Sequence, residues 1–315
     1  MKIGFDLMGG DLGPKEAILG SLAYLQNNQE AHLVLIGTAS ECQAHLSLLD
    51  EYKERYSFIP TTDVIGMDEH PTKALKEKPN SSIAYGFGML KMGKIDAFLS
   101  AGNTGAMLVG AMYSVGAIAG VSRPTVATLV PREDNDGISL ILDVGANSDC
   151  KPDHLAQFGH LGSLYMQYIL GYEHPKVALL NLGEEEGKGN LLTQAAYPLL
   201  KANSQINFIG NMEGRDIYGS KARVIVCDGF TGNVVLKLSE SLYDLFKNKC
   251  PDDVFVQQFN YELYGGVPIL GVNAPVIIGH GISTAKAFKS MIETAEKVIA
   301  TGLIDAIKKQ FSENN

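Results

Sequence analysis

Short apolar runs alternate along the chain with longer segments in which apolar residues recur at helical spacing, the pattern of βαβ units that carry a parallel sheet. The runs predict strands over Lys2–Leu7, His32–Gly37, Ile95–Ser100, Thr125–Leu129, Ser139–Asp143, Lys176–Leu182, Ile206–Gly210, Ala222–Asp228 and Ala274–Gly279. Several are apolar at every position, as strands covered on both faces are. No repeat, low-complexity tract or Pro/Ser-rich linker marks a boundary, so residues 1–315 read as one compact unit, bilobed at most, with a helical protrusion around 231–260. At roughly 100° per residue, Val234, Val235, Leu238, Leu242, Leu245 and Phe246 share one side of that helix, with Lys237, Glu240, Asp244 and Lys247 opposite. Acids and bases mixed on the polar side favour packing on the core or on a second subunit over insertion into a membrane. Residues Ala97–Ser122 carry no charge, yet the Gly102-Asn103-Thr104-Gly105 break leaves less than the roughly 20 apolar residues a membrane span needs. A fully buried helix is expected there, with Gly116 and Gly120 allowing close backbone approach.

Composition narrows the function classes. Hydrophobic residues are 45% and charged residues 19% of 315, enough apolar surface for a real core, which excludes wholesale disorder. Lys plus Arg number 26 against 35 Asp plus Glu, a net charge of −9, which argues against coating nucleic acid by phosphate neutralisation. Cys42, Cys150, Cys227 and Cys250 are scattered without a C-x-x-C pair, as expected of reduced thiols in a cytoplasmic protein. Asp6 and two glycines interrupt the opening run Met1–Gly10 before a signal-peptide core could form, so secretion is not expected.

The predicted strands end in a shared vocabulary. Their exits read Asp6-Leu7-Met8-Gly9-Gly10-Asp11, Ser100-Ala101-Gly102-Asn103-Thr104-Gly105, Asp143-Val144-Gly145-Ala146-Asn147, Asn181-Leu182-Gly183-Glu184, Gly210-Asn211-Met212-Glu213-Gly214, Asp228-Gly229-Phe230-Thr231-Gly232-Asn233 and Gly279-His280-Gly281. Any one is an ordinary turn or helix cap. Seven together, at the carboxyl edge where α/β sheets bind ligands, point to an anion cradle built of backbone amides. Other chemistries lack their motifs. Gly183–Gly189 is one residue short of a phosphate-binding loop and has no hydroxyl after its lysine, no G-x-G-x-x-G leads from strand to helix, and neither G-x-S-x-G nor H-E-x-x-H occurs. Glu184-Glu185-Glu186 reads as a solvated run rather than a metal site. Lys73, Lys76 and Lys78 form a basic segment, either a solvated helix face or a dock for an acidic partner.

Read as phrases, the turns resemble the bacterial phosphate acyltransferases of the PlsX family, acyl-acyl carrier protein:phosphate transacylases. The matching phrases are FDLMGGDLGP (5–14), SAGNTGA (100–106), LDVGANSDCKPDHL (142–155), LLNLGEEEGKGN (179–190), FIGNMEGRDI (208–217), CDGFTGNVVLK (227–237) and YGGVPILGVN (264–273), which span essentially the whole chain. The resemblance implies a three-layer α/β/α sandwich with a mostly parallel sheet, like the isocitrate and isopropylmalate dehydrogenases but without a nicotinamide cofactor. It implies attack of inorganic phosphate on the thioester of a long-chain acyl-acyl carrier protein, giving acyl phosphate for the glycerol-3-phosphate acyltransferase step of phospholipid synthesis. It also implies a homodimer that visits the inner face of the cell membrane. No cofactor, metal or nucleic acid is expected.

On that reading His280, Lys188 and Asn103 are the expected catalytic residues. Asp6, Gly9, Gly10, Gly102, Thr104, Gly105, Asn147, Asn233 and Gly281 are expected to bind phosphate or substrate, with Lys73, Lys76 and Lys78 docking the carrier protein. Phosphate is itself a competent nucleophile, so the protein's tasks are to align it and to stabilise the oxyanion. The chain departs from the family twice: Val276-Ile277-Ile278-Gly279-His280-Gly281 lacks a lysine usual before the His-Gly turn, and Leu238–Phe259 is short for the family's helical hairpin. Two other readings use the same cleft, a phosphotransacetylase-like enzyme acting on acyl-coenzyme A and a non-catalytic regulator that binds acyl carrier protein.

Overall fold

A computed structural model describes residues 1–27, 30–134 and 137–312. Among them the strands are β1 (Lys2–Asp6), β2 (His32–Thr38), β3 (Tyr56–Thr61), β4 (Ala97–Ser100), β5 (Thr125–Pro131), β6 (Ile138–Leu142), β7 (Lys176–Asn181), β8 (Asn207–Glu213), β9 (Val224–Val226), β10 (Gly266–Leu270) and β11 (Val276–Gly279). The helices are α1 (Gly13–Asn27), α2 (Ala39–Leu46), α3 (Pro71–Glu77), α4 (Ser82–Lys91), α5 (Thr104–Ser114), α6 (Pro152–Leu170), α7 (Leu191–Ala202), α8 (Gly229–Phe246), α9 (Val254–Gln258), α10 (Ala285–Ala300) and α11 (Leu303–Ser312). The chain separates into a first unit, residues 1–117 and 261–300, and a second, 118–260 with the segment from Thr301.

In the first unit the strand order is β3-β2-β1-β4-β11-β10, parallel except for the β10–β11 pair. Its strands are apolar on both faces because helices cover both: Phe5 of β1 packs on Phe288 of α10 (centroids 5.4 Å apart) and Phe98 of β4 on Phe87 of α4 (5.0 Å). Helix α10 buries Phe288, Met291, Ile292, Ala295 and Val298, the i, i+3, i+4, i+7 stripe of a core-facing helix. Each fully buried Phe contributes roughly 2–3 kcal/mol through removal of apolar surface from water.

In the second unit the order is β5-β6-β9-β7-β8, again parallel save one pair, β5–β6. Helix α6 lies on β6, β9 and β7 and contacts α7 and α11, whereas α8 and α9 meet β6 and β5. The architecture is thus α/β with mostly parallel strands and flanking helices.

All nine predicted strands are present, with ends moved by a few residues. The two unpredicted ones, β3 and β10, each contain a proline, Pro60 and Pro268, which is tolerated at an edge or beside an antiparallel partner and masks a strand in the sequence. The uncharged stretch 97–122 resolves differently from expectation. It is β4, a turn and α5, and α5 is only part-buried, with Met112 and Tyr113 41% and 79% exposed. Gly116 and Gly120 lie beyond the helix at φ +74° and +88°, where they permit left-handed turns rather than close helix packing. The α8 stripe is not covered by the protein's own core, which leaves the second-subunit alternative standing. Val234, Leu238, Leu245 and Phe246 are 43–60% exposed, because α8 is held to its own chain by Gly229, Gly232 and Ser239 on another side. No helix among the described residues is long and apolar enough to cross a membrane.

Candidate active site

Two strand exits of the first unit meet at one buried carboxylate, and a third joins them through the turn that follows it. Asp6, at the end of β1, accepts hydrogen bonds from Ser100 Oγ of β4 (2.6 Å) and from the amide of Met8 (2.9 Å), with further bonds from the Ser82 hydroxyl of α4 and the Gly9 amide. Ser100 Oγ in turn accepts the amide of Gly102 (2.9 Å). The third exit joins through the Asp11 amide, which donates to the Gly281 carbonyl (2.6 Å) just after β11. The approach is so close that a Cβ on Gly9 would lie 2.4 Å from the Gly102 nitrogen, so only glycine fits. Burial raises the Asp6 carboxyl above the usual Asp range, and its four hydrogen bonds offset part of that rise. Asp6 is 1% exposed and its carboxylate is taken up by donors of the chain itself, whereas the sequence reading had it bind phosphate.

Asn103, expected to be catalytic, likewise spends its side chain on the chain's own backbone. Its Oδ1 accepts the Ala106 amide and caps α5, while its Nδ2 donates to the carbonyls of Gly66, Met67 and Glu69 at 2.9–3.2 Å. The side chain therefore latches the 66–69 loop to the start of α5. Thr104 and Gly105 are the first residues of that helix, beside the cradle, and the Met67 methyl lies 3.3 Å from where a Cβ on Gly281 would stand. His280 is half-buried, and its carbonyl accepts both the Ser283 amide and the Ser283 hydroxyl. Of the basic segment, Lys78 departs from expectation: its ammonium pairs with Glu69 and donates to the Val64 carbonyl (2.7 Å), closing the same loop. Lys73 and Lys76 remain exposed.

The second unit repeats the device with Asp143, which sequence reasoning quoted within a turn but did not assign. Asp143, fully buried after β6, accepts from the amides of Val126, Ala146 and Asn147 and from Asn147 Nδ2, at 2.7–3.2 Å. Its carboxyl too is raised by burial. Asn147 Nδ2 also donates to the Pro124 carbonyl (2.8 Å), and its own carbonyl accepts the Gly229 amide (2.8 Å), so Asn147 fastens the turn rather than presenting its amide group to a ligand. Asp228 caps α8 by accepting the Thr231 amide (2.8 Å). Asn233 is exposed one turn into α8, close to Gly145. Lys188 is exposed in the β7–α7 loop, its backbone carbonyl held by Asn181 Nδ2 (3.1 Å). The acidic run beside it is dispersed as expected, Glu184 to Lys221 and Glu186 to Lys201. A partial signal for both hubs was present in the sequence: an aspartate closing an otherwise apolar strand is a candidate for burial, and a buried carboxylate must find donors.

Each unit thus ends its strands in amide-rich, glycine-bearing turns fastened from below by a buried acid, an arrangement suited to acyl-group chemistry at phosphate. The same fold occurs in solved structures of a phosphotransacetylase from Streptococcus pyogenes (19% identical, TM-score 0.66, covering 97% of this chain and 94% of that one) and of the EutD phosphotransacetylase from Staphylococcus aureus (16%, TM-score 0.61, 94% of each). At those identities the likeness speaks to fold. A family model described as "Fatty acid synthesis protein" matches residues 1–254. The phosphate acyltransferase of Halothermothrix orenii is 38% identical over 334 aligned positions, covering 100% of this chain and 99% of that protein. The phosphate acyltransferase of Dictyoglomus thermophilum is 42% identical over 318, covering 95% and 94%. The chain belongs to the phosphate acyltransferase family, and is an acyltransferase that uses phosphate as acceptor.

Proposed function

We propose that the protein transfers a fatty acyl group from acyl-acyl carrier protein to inorganic phosphate. The observation that carries the reading is the first-unit cradle, in which glycines 9, 10, 102 and 281 strip side chains from converging turns beside the N-terminus of α5. A phosphate oxygen attacks the thioester carbonyl, the C–O bond forms, and collapse of the tetrahedral intermediate breaks the C–S bond. Acyl phosphate and the carrier-protein thiolate result, and a proton reaches the sulfur. Amides at Thr104 and Gly105 are assigned to phosphate or the oxyanion, a preorganised donor being worth roughly 3–4 kcal/mol. His280 is assigned the proton for sulfur, and exposed Lys73 and Lys76 the acidic carrier protein.

The reading extends to a homodimer, supported by the uncovered apolar side of α8, and to a cytoplasmic enzyme that meets the membrane only peripherally, delivering acyl phosphate to the membrane glycerol-3-phosphate acyltransferase. The test is incubation with palmitoyl-acyl carrier protein and phosphate, in parallel with palmitoyl-coenzyme A, trapping acyl phosphate with hydroxylamine. Phosphate-dependent hydroxamate from the carrier-protein thioester is expected. Product from the coenzyme A thioester alone would replace the donor in this reading.

A further inference from the structure

At the end of the first unit's sheet away from the cradle, the strand entries border a cavity of about 540 Å³, inside the range of roughly 300–1,000 Å³ that small-molecule sites occupy. Lys2 opens β1 and Asp6 closes it, so the two ends of that strand lie roughly 13 Å apart. The floor of the cavity is apolar. Val34 of β2 sits opposite Gly4 of β1 and Ser57 of β3, on the face where Phe98, opposite Gly4 from β4, packs against α4. Helix α4 crosses β1, β2 and β4 while β3 forms the edge, and in the angle between them Val34, Ile59 and Met89 line the opening together. The mouth is basic. His32 lies two residues before Val34, its Nε2 sharing a hydrogen bond of 3.2 Å with Ser57 Oγ. Exposed Lys94 reaches the mouth because Gly93, at φ +65°, turns the chain off the end of α4. It is not needed as a cap, since the carbonyls of Gly88, Met89 and Leu90 already accept the amides of Met92, Lys94 and Gly93. Among the described residues neither the Lys2 nor the Lys94 ammonium pairs with a carboxylate, and Asp96, the one acid lining the cavity, spends Oδ2 on the Lys2 amide (2.7 Å). Burial, and then the charges of Lys2 and Arg55, hold the His32 imidazole below its usual range, as a positive field over the cavity requires, although the chain carries a net charge of −9.

We infer that this cavity binds a hydrocarbon chain ending in an anionic head group, a carboxylate or a phosphoester, with the head at Lys2 and Lys94 and the chain over Val34, Ile59 and Met89. Both halves of the ligand are required. An inorganic anion would satisfy the lysines and leave the apolar floor wet, whereas a neutral chain would cover the floor and leave two ammonium groups unpaired. Every lining residue belongs to the first unit, and the cavity opens at the strand entries while the cradle stands at the exits. Its ligand is therefore held apart from the reacting groups, and the inference takes nothing from the acyl-transfer reading.

The experiment titrates the full chain calorimetrically with decanoate, decyl phosphate, decanol and inorganic phosphate, and repeats this on the double variant K2Q/K94Q and, as control, on K309Q at the exposed side of α11. Decanoate or decyl phosphate should bind, and the tighter of the two identifies the head group. K2Q/K94Q should bind that probe roughly 10- to 100-fold more weakly, as loss of charge-assisted hydrogen bonds requires, with K309Q unchanged. Decanol and inorganic phosphate should each bind the unaltered protein at least roughly 10-fold more weakly than the preferred probe, since each lacks one half of the match. Absence of binding by both chain-bearing anions overturns the site. So does equal affinity of K2Q/K94Q and the unaltered protein for the preferred probe, which would place the chain on another surface, and so does inorganic phosphate binding as tightly as decyl phosphate.

Discussion

Asp6 and Asp143 are the same device put to different ends. Both close an apolar strand, both are buried, and both are raised by desolvation against several hydrogen bonds. Asp6 gathers donors from separate elements, since β4 supplies Ser100 and α4 supplies Ser82, and the bond network continues to Gly102. Asp143 gathers mostly its own turn, with Val126 of the antiparallel neighbour, and a helix sits directly on it: a Cβ on Gly232 would lie 1.9 Å from the Asp143 carbonyl oxygen. A carboxylate that ties several parallel strand exits builds a cradle, whereas one that ties a single turn builds a seat for a helix. The neighbour's direction and its side chain decide which.

Substitution at the helix seat should have the largest effect. Gly232→Ala forces backbone against backbone and is expected to cost roughly 3–5 kcal/mol, read by chemical denaturation. A wild-type midpoint would break the seat interpretation. In the cradle, Gly9→Ala pushes the β1 and β4 exits apart, with an expected activity loss on the order of 10²-fold and a stability loss of roughly 1–3 kcal/mol. If activity and stability fell in strict proportion, the cradle would be structural only.

The acids themselves come next. Asp6→Ala strands the Ser100 hydroxyl and the Met8 amide, at roughly 1–3 kcal/mol for each donor left unpaired. The pH dependence of Asp6→Asn sharpens the point. An acid raised in the folded state binds its proton more tightly folded than unfolded, so its stabilising contribution is full below the ordinary value of 3.8 and falls as pH rises towards the higher folded value. The stability of the unaltered protein relative to Asp6→Asn should therefore decline across that window and level off above it, and so should the comparison with Asp143→Asn. A flat difference would mean that neither acid is desolvated.

Asn103→Asp is milder and more selective: it keeps the acceptor that caps α5 and removes the Nδ2 donor that holds three carbonyls of the 66–69 loop. Protease susceptibility confined to that loop is expected, with activity reduced more than stability. The smallest effect is a labelling contrast. Cys42, 3.8 Å from Met8 Sδ at the first hub, and Cys150 at the second have thiols pushed up to about 12 by burial, whereas Cys250 is exposed. Iodoacetamide near pH 7.5 should label Cys250 alone, Asp6→Ala should add Cys42, and Asp143→Ala should add Cys150. Labelling of Cys42 and Cys150 at the Cys250 rate in the unaltered protein would show the hubs to be open.

Much of this was determined by the sequence alone. Continuous apolar runs between amphipathic segments dictate a mostly parallel α/β architecture, because strands covered on both faces leave no polar face to place, and the order of glycine-rich strand exits carries the family. Tertiary structure decided the rest. Pro60 and Pro268 obscured two strands that only pairing partners make possible, and of the two partners open to the apolar side of α8, its own core and a second subunit, the fold leaves out the first. Asn103 and Lys78 read as ligand-facing groups, yet each is turned onto carbonyls or a carboxylate delivered from elsewhere in the chain. Local pattern sets which backbone forms, since that is a matter of neighbouring residues and their exposure. Whether a polar side chain meets a ligand or a backbone carbonyl depends on what distant segments bring within 3 Å, and only the folded chain settles it.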